Sequence, residues 1–379
     1  MMRSLCLLAL LLLPQETMSP YSSWTHGPPT DPSFFPVAVW LQDTRNVAKY
    51  KEAGINTYVA LWQGPTQVQF DVLKAAGMKL VCHQNEFGLA HKDDSTIIAW
   101  MHGDEPDNAQ EKKGGGYGAP IATEKIVADY KKVHDADPSR PVLLNLGQGV
   151  AWDKYVGRGV RTNHPEDYAE YMKGSDIVSF DIYPVVHDHA DIVGKLYKVS
   201  EGVDRLRKWG DGKKIVWNCI EASRISNESV KPTAPQIRCE AWMSLIHGST
   251  GLIYFVHQFK PKFIEASLLQ DADLLAGVTA INRQIREAAP ALNSPTVDGG
   301  ATVTTSGADA PVDLLLKKQG DSLWLFAVAM REKGTKASFE VKAAKGAAEV
   351  LGESRSLPVK AGRFDDEFKP YEVHLYRIR

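Results

Sequence analysis

An amphipathic helix, a glycine and an apolar, β-rich segment follow one another twice near the start of the chain, and no other feature constrains the fold as strongly. The two copies are KYKEAGINTYVALW (residues 49–62) and VLKAAGMKLVCH (residues 72–83). In each copy the glycine can take the left-handed conformation that ends a helix, and a strand is expected shortly after it. Repetition of this unit predicts parallel strands joined by helices.

Eight segments with strand character lie between residues 36 and 256. They are residues 36–40, 57–62, 79–83, 97–103, 142–147, 176–183, 214–221 and 251–256. Helical patterns separate most of them, including residues 122–136, 165–174 and 234–248. Eight such units over about 250 residues are typical of a (β/α)8 TIM barrel, which we expect over residues 30–293. A doubly wound open sheet is the alternative, but no G-x-G-x-x-G motif follows the first strand.

The pattern changes at about Ser294. Short alternating segments such as SLWLFAVAM and YEVHLYRI replace the helical signals, and Gly, Lys, Asp and Pro separate them. We therefore expect a small all-β sandwich domain over residues 294–379.

The first 19 residues are expected to be a signal peptide. The apolar segment LCLLALLLL (residues 5–13) is too short to span a bilayer and follows a basic N-terminus. The protein is then secreted or periplasmic, without a membrane span after cleavage. No A-x-A cleavage pattern follows the segment, so a retained membrane anchor is the alternative.

Charge and cysteine usage exclude several kinds of partner. The formal net charge of -2 provides no field that would attract nucleic acid, so a neutral ligand is expected. Cys82, Cys219 and Cys239 form no closely spaced pair, which argues against a disulfide framework or a zinc knuckle. His187 and His189 flank an aspartate in a loop but lack further ligands at zinc-like spacing, so no metal is expected.

Two glutamates stand at predicted strand ends. Glu105 follows strand four in HGDEPDN, and Glu221 ends strand seven in WNCIEAS. Barrel enzymes carry their active sites at these ends, and retaining glycoside hydrolysis needs two carboxyl groups about 5 Å apart. Either residue could instead be a helix N-cap or a surface charge. Glu86 and Asp181 end strands three and six and are the alternative carboxylates.

Strand six tests the barrel hypothesis. Ser179, Asp181 and Tyr183 share one face, and the apolar residues between them share the other. The polar face is expected to point into the barrel near its carboxyl-terminal mouth.

The motifs GDEP and DIYP, together with the strand-seven glutamate, resemble clan A of the retaining glycoside hydrolases, in particular a family 5-like barrel. The segment GRFDDEFKPYEVHLYRI is similar to the closing strands of the sandwiches that follow many such barrels. The resemblance implies that Glu105 is the general acid/base and that Glu221 is the nucleophile. It also implies that Tyr183 hydrogen-bonds the nucleophile.

One position departs from the clan pattern. Asp104 stands where an asparagine usually precedes the acid/base, and a carboxylate cannot donate a hydrogen bond as an amide does. Its charge could raise the pKa of Glu105. The Asp-Glu pair also resembles substrate-assisted N-acetylhexosaminidases, in which the Asp steers the acetamido group of the substrate. That mechanism is the alternative.

Aromatic and polar residues near the other strand ends are candidates for sugar binding, because aromatic faces stack on pyranose rings and amides or imidazoles bind hydroxyls. Each of them could equally be a core or loop residue. They are Trp40, Trp62, His83, Gln84, Asn145, Tyr254 and His257.

The sequence thus predicts a retaining glycoside hydrolase that cleaves an oligo- or polysaccharide and needs no cofactor. No phosphate-binding glycine motif follows strands seven and eight, which argues against a cofactor-dependent barrel enzyme. A carbohydrate-binding protein without turnover is the alternative from another class. The glycine-rich segment at residues 114–118 is either a flap over the substrate or a plain connector.

Overall fold

A computed structural model describes residues 19–379 of the protein. Eight parallel strands form a closed barrel in which each strand pairs with the next and the last pairs with the first. The strands are β1 (Val37–Trp40), β2 (Thr57–Val59), β3 (Lys79–His83), β4 (Ile97–Asp104), β5 (Val142–Leu146), β6 (Ile177–Phe180), β7 (Ile215–Glu221) and β8 (Gly251–Phe255). The predicted barrel is confirmed.

One α-helix follows each barrel strand along the chain. The helices are α1 (Val47–Glu52), α2 (Gln67–Ala76), α3 (Glu86–Ala90), α4 (Thr123–Ala136), α5 (Asp167–Tyr171), α6 (Lys198–Trp209), α7 (Ala234–Ile246) and α8 (Ala272–Leu292). The two glycines of the sequence repeat end their helices as predicted. Gly54 has a φ of 81° and Gly77 a φ of 69°, both in the left-handed region.

Two strands are shorter than predicted by three or more residues. Strand β2 ends at Val59 because Ala60 turns the chain with a φ of 64°. Strand β6 ends at Phe180, although the Asp181 N–H still donates to the Leu146 carbonyl at 2.9 Å. The residues after β6 therefore continue the strand direction as a loop at the mouth of the barrel.

The core has two layers. Side chains such as Val59, Ala99 and Trp217 fill the barrel interior. Leu80, Trp100 and other residues of opposite parity pack against the surrounding helices. Alternation along each strand thus separates the interior from the helix-facing layer.

The predicted sandwich is also confirmed. One sheet has the order β10 (Val312–Gln319), β11 (Ser322–Ala329), β16 (Val373–Ile378), β13 (Ala347–Val350) and β14 (Arg355–Pro358); the other has β15 (Arg363–Phe368), β12 (Thr335–Val341) and β9 (Ala301–Thr305). Trp242 on α7 stacks on Phe326 on β11 with ring centroids 5.2 Å apart. The barrel and the sandwich are therefore packed through α7.

Within residues 19–379, no helix is both long and apolar enough to cross a membrane. The predicted signal peptide lies outside the described residues except for Ser19. Secretion therefore stays a prediction.

Candidate active site

Three carboxyl groups meet at the carboxyl-terminal mouth of the barrel, and we call Asp104, Glu105 and Asp181 the carboxyl cluster. Asn145 on β5 joins two of them: its Nδ2 donates to Asp104 Oδ1 at 2.9 Å and to Asp181 Oδ2 at 3.3 Å. The amide oxygen of Asn145 accepts a hydrogen bond from Ser179 Oγ at 2.6 Å, which fixes the orientation of the amide. Strands β4, β5 and β6 thus supply one connected polar site.

The backbone of Glu105 departs from strand geometry. Its φ of 42° lies in the left-handed region, where a residue with a Cβ is strained by about 1–2 kcal/mol. The Glu105 N–H donates to the Asn145 carbonyl at 3.0 Å, and the Glu105 carbonyl accepts from the Asn108 N–H at 3.1 Å. Strain that the surroundings hold in this way concentrates at functional sites.

The electrostatics around Glu105 favour its protonated form. Burial raises the pKa of Glu105 well above its ordinary value, and the charges of Asp181, Asp104 and Asp107 raise it further. A carboxyl group that keeps its proton near neutral pH can act as a general acid.

Asp181 is the second unusual carboxyl group. Burial and the charge of Asp104 raise its pKa to about 7. Its Oδ1 has no hydrogen-bond partner among the described residues, although the side chain is only partly buried. This oxygen is itself shielded from solvent, and its hydrogen-bonding capacity is unused among the described residues.

Asp104 is exposed at the mouth. Desolvation by the surrounding protein atoms raises the pKa of its carboxyl group, whereas the Asn145 hydrogen bond and the charge of His83 lower it. His83, at the end of β3, is therefore close to the carboxyl cluster, and Asn145 contacts two members of the cluster. Sugar binding by these two residues stays a prediction.

Tyr183 stands on the same side of the mouth. Its ring packs against Phe255 with centroids 5.4 Å apart, and its hydroxyl has no hydrogen-bond partner among the described residues. Burial and the charge of Asp181 raise its pKa. The structure brings Tyr183 to Asp181, whereas the resemblance implied a contact with Glu221.

The neighbours of Glu221 in the structure differ from the predicted pairing with Glu105. Glu221 is fully buried, and its two oxygens accept hydrogen bonds from the backbone N–H groups of Val185 at 2.7 Å and Val186 at 3.0 Å. Its other ionisable neighbour is Glu240 on α7. Glu221 therefore holds the loop after β6 and is closed to solvent.

Three further predicted sugar contacts are also buried away from solvent. The Tyr254 hydroxyl donates to Asn282 Oδ1 on α8 at 2.8 Å, so this side chain points toward the helices. His257 is 5% exposed, and its Nε2 lies 3.1 Å from the Leu41 carbonyl. Trp40 is 6% exposed and packs in the barrel interior. These three side chains are buried in contact with other parts of the protein.

Trp62, by contrast, is 73% exposed in the loop after β2. Gln84 is partly buried, and its amide Nε2 donates to the Val133 carbonyl at 3.0 Å. Of these two predicted residues, Trp62 presents its ring to solvent.

Sequence reasoning missed Asp107. This fully buried carboxylate accepts hydrogen bonds from the Gly147 N–H at 2.9 Å and the Tyr168 hydroxyl at 2.8 Å. It fastens the loop after β4 to the end of β5 and adds negative charge beside Glu105. The only signal was a second Asp in the GDEPDN motif, which carries no sign of burial.

In the part of the chain that the structure describes, no group of three or more His, Cys, Asp and Glu side chains could hold a metal ion. His187 Nε2 lies 2.9 Å from Gln148 Oε1, and the rings of His187 and His189 pack on Trp152. The three cysteines Cys82, Cys219 and Cys239 are buried and free.

The fold of this chain, a (β/α)8 barrel followed by a C-terminal all-β region, resembles the folds of glycoside hydrolases of known structure. It resembles α-amylase GTA from Geobacillus thermoleovorans, solved with acarbose, at a TM-score of 0.54 and 9% identity over 94% of this chain and 99% of that one. It resembles an Anoxybacillus α-amylase at a TM-score of 0.52 and 11% identity, over 92% of this chain and 98% of that one. It resembles a putative α-galactosidase/melibiase from Bacteroides fragilis at a TM-score of 0.50 and 11% identity, over 92% of this chain and 79% of that one.

These likenesses show a shared fold. No protein-family profile matches the sequence, and no curated protein is significantly similar to it.

Proposed function

We propose that the protein is a glycoside hydrolase whose active site is the carboxyl cluster, with Glu105 as the general acid. The observation that carries the proposal is the position of Glu105 at the mouth of the barrel, where burial and three neighbouring carboxyl groups raise its pKa. The fold shared with solved glycoside hydrolases supports the same reaction class.

Hydrolysis of a glycosidic bond by this class of enzyme needs two carboxyl groups of the protein. One gives a proton to the leaving oxygen, and the other acts at the anomeric carbon of the sugar. Glu105 supplies the proton. Asp181 is the better second group than Glu221, because Asp181 has an unpartnered oxygen at the mouth while both Glu221 oxygens are bonded to backbone N–H groups. We assign Asp181 as nucleophile, consistent with the retaining mechanism that the resemblance implies.

In the first step the Asp181 carboxylate bonds to the anomeric carbon as the leaving oxygen takes the proton of Glu105. In the second step ionised Glu105 removes a proton from water, the water oxygen bonds to the anomeric carbon, and Asp181 leaves as a carboxylate.

A substrate-assisted hexosaminidase mechanism is the second candidate. The exposed Asp104 carboxyl next to Glu105, oriented by Asn145, is suited to steering an acetamido group. Glu105 remains the acid in both mechanisms. The two differ in whether an acetamido sugar is required and in whether Asp104 or Asp181 is indispensable.

The test measures hydrolysis of a panel of 4-nitrophenyl glycosides, including 2-acetamido sugars, by six variants. Glu105→Gln and Asp181→Asn are expected to lower kcat by about 10²–10⁴-fold. Glu221→Gln is expected to retain activity in proportion to the folded fraction, and Glu86→Gln is the control because Glu86 is exposed on α3. Azide is expected to rescue Asp181→Ala, and proton NMR of the first product anomer reports retention.

Full activity of Glu105→Gln would refute the proposal. Loss of activity in Asp104→Asn with Asp181→Asn unaffected would instead select the substrate-assisted mechanism. Binding of oligosaccharides without turnover of any member of the panel would indicate a carbohydrate-binding protein.

A further inference from the structure

Every large apolar side chain that is exposed among residues 19–379 lies on the same face of the molecule. The nine side chains are 40% to 76% exposed. Each lies between a barrel strand and the following helix, or in the first turn of that helix, and so surrounds the mouth. They are Trp62, Val68, Tyr117, Val156, Val160, Val193, Val230, Phe259 and Phe263. Apolar surface that is concentrated in this way marks an interaction site.

Aromatic rings connect this rim to the carboxyl cluster. Tyr183 packs on Phe255 with centroids 5.4 Å apart, Phe255 lies 6.2 Å from Phe259, and Phe259 lies 5.8 Å from Phe263. We call these four residues the aromatic row. It begins beside Asp181 and ends at Phe263, which is 62% exposed.

The outer rings of the row are held in place before any ligand arrives. The buried His257 ring stacks on both Phe259 and Phe263, with centroids 6.2 Å and 6.1 Å away. Backbone hydrogen bonds between Gln258 and Ile264, at 2.9 Å and 2.8 Å, close the loop that carries them. Preorganised rings lose little conformational entropy when they bind.

We propose that the aromatic row binds a saccharide chain that runs from the carboxyl cluster across the loop after β8, so that the substrate is a chain of several sugar units. This inference rests on the proposed function. Aromatic faces stack on the apolar faces of pyranose rings, and the row places such faces in sequence next to the reacting carboxyl groups.

A lipid surface is the other partner that exposed apolar side chains could serve. A net charge of -2 gives no general attraction to an anionic bilayer, although Lys260 and Lys262 lie in the same loop. Continuity of the row with the carboxyl cluster favours the saccharide, because insertion into lipid would not require rings that lead to Asp181.

The test measures binding to the inactive variant Glu105→Gln by calorimetry, with the disaccharide and hexasaccharide of the cello-, xylo-, malto- and chito-series. At least one hexasaccharide is expected to bind about tenfold or more tighter than its disaccharide. Adding Phe259→Ala and Phe263→Ala is expected to remove that gain and leave disaccharide binding unchanged. Phe263→Trp keeps the ring and is expected to retain the gain.

Val156→Ala with Val160→Ala is the matched control, because it removes two exposed apolar side chains of the rim after β5, outside the row. Thermal unfolding of each variant shows that it is folded. Equal affinity for every disaccharide and hexasaccharide would overturn the inference, and so would ring-dependent binding to phosphatidylcholine vesicles in its place. If the wild-type protein binds hexasaccharides more tightly than disaccharides but hydrolyses no aryl glycoside, the proposed function is refuted. Saccharide binding by the aromatic row is then still supported.

Discussion

Glu240 on helix α7 lies beside Glu221 at the end of strand β7, and both side chains are fully buried. Burial raises the pKa of Glu221 to about 7, although the backbone N–H groups of Val185 and Val186 oppose the shift. Burial and the charge of Glu221 raise the pKa of Glu240 well above its ordinary value. Two carboxyl groups in this position cannot both ionise without cost, so the pair retains a proton at neutral pH.

Glu240→Gln is therefore expected to stabilise the protein above neutral pH. A carboxyl group whose pKa is raised on folding contributes stability below its unfolded value of 4.5 and loses that contribution as pH rises through about 7. The amide is neutral at every pH and needs no proton on folding, so the free energy of unfolding at pH 8 should rise by about 1–3 kcal/mol. Urea denaturation at pH 5 and pH 8 measures the difference.

The exposed Glu86→Gln serves as the control for the loss of one charge. An equal change at both pH values would contradict a shared proton in the Glu221 and Glu240 pair.

Arg140→Met is expected to destabilise the fold without affecting chemistry. Arg140 is fully buried and donates to Asp137 Oδ2 at 2.8 Å, to the Ile97 carbonyl at 2.8 Å and to the Asp94 carbonyl at 2.9 Å. Removal of one partner of a buried pair costs about 3–5 kcal/mol. Because Arg140 lies at the amino end of β5, kcat per folded molecule should be unchanged.

Denaturant unfolding and active-site titration check these two expectations for Arg140. The double variant Arg140→Met with Asp137→Asn should recover part of the loss, since no charge is then left unpaired and the amide oxygen still accepts a hydrogen bond. A double variant that is less stable than Arg140→Met would show that the ion pair is not the cause.

The fold was predictable because its signals are local. The glycines at residues 54 and 77 and the apolar strands are read from a few neighbouring residues, and the barrel and sandwich followed from their order. Parity along β6 also placed part of the site: Ser179 and Asp181 reach Asn145 in the interior, as alternation requires.

Glu221 shows where such reasoning ends. Trp217 and Cys219 face the barrel interior, and Glu221 follows Cys219 two positions later at the end of β7. Its oxygens are instead occupied by N–H groups at residues 185 and 186, and its neighbour Glu240 lies on the next helix. These contacts join segments far apart in the chain, and a single sequence contains no local signal of them.

Asn145→Ala is expected to shift the pH dependence of hydrolysis. If Asp181 must be ionised and Glu105 protonated, kcat/KM has an acidic limb near pH 7 and an alkaline limb above it. The Asn145 amide lowers the pKa of Asp181, so its removal should move the acidic limb to higher pH. The profile of kcat/KM between pH 5 and pH 10 measures the shift, with Gln84→Ala as an amide control. An acidic limb that does not shift would show that the ionisation of Asp181 does not control the reaction.

His247 couples the barrel to the sandwich, and we expect His247→Gln to loosen that coupling in a pH-dependent way. Its Nδ1 lies 2.9 Å from Asp204 on α6, and its Nε2 lies 3.1 Å from Asp313 on β10. Burial lowers the pKa of His247, but the hydrogen bonds with the two carboxylates outweigh it and raise the pKa to about 9. The stabilisation is therefore complete below the unfolded value of 6.5 and is lost as pH rises through about 9.

After solvent screening of the two aspartates, the loss of stability in His247→Gln at pH 6 should be about 1–2 kcal/mol and should vanish at pH 10. Urea unfolding at both pH values, with the half-exposed His134→Gln as control, measures it; a loss that persists unchanged at pH 10 would contradict a charged bridge.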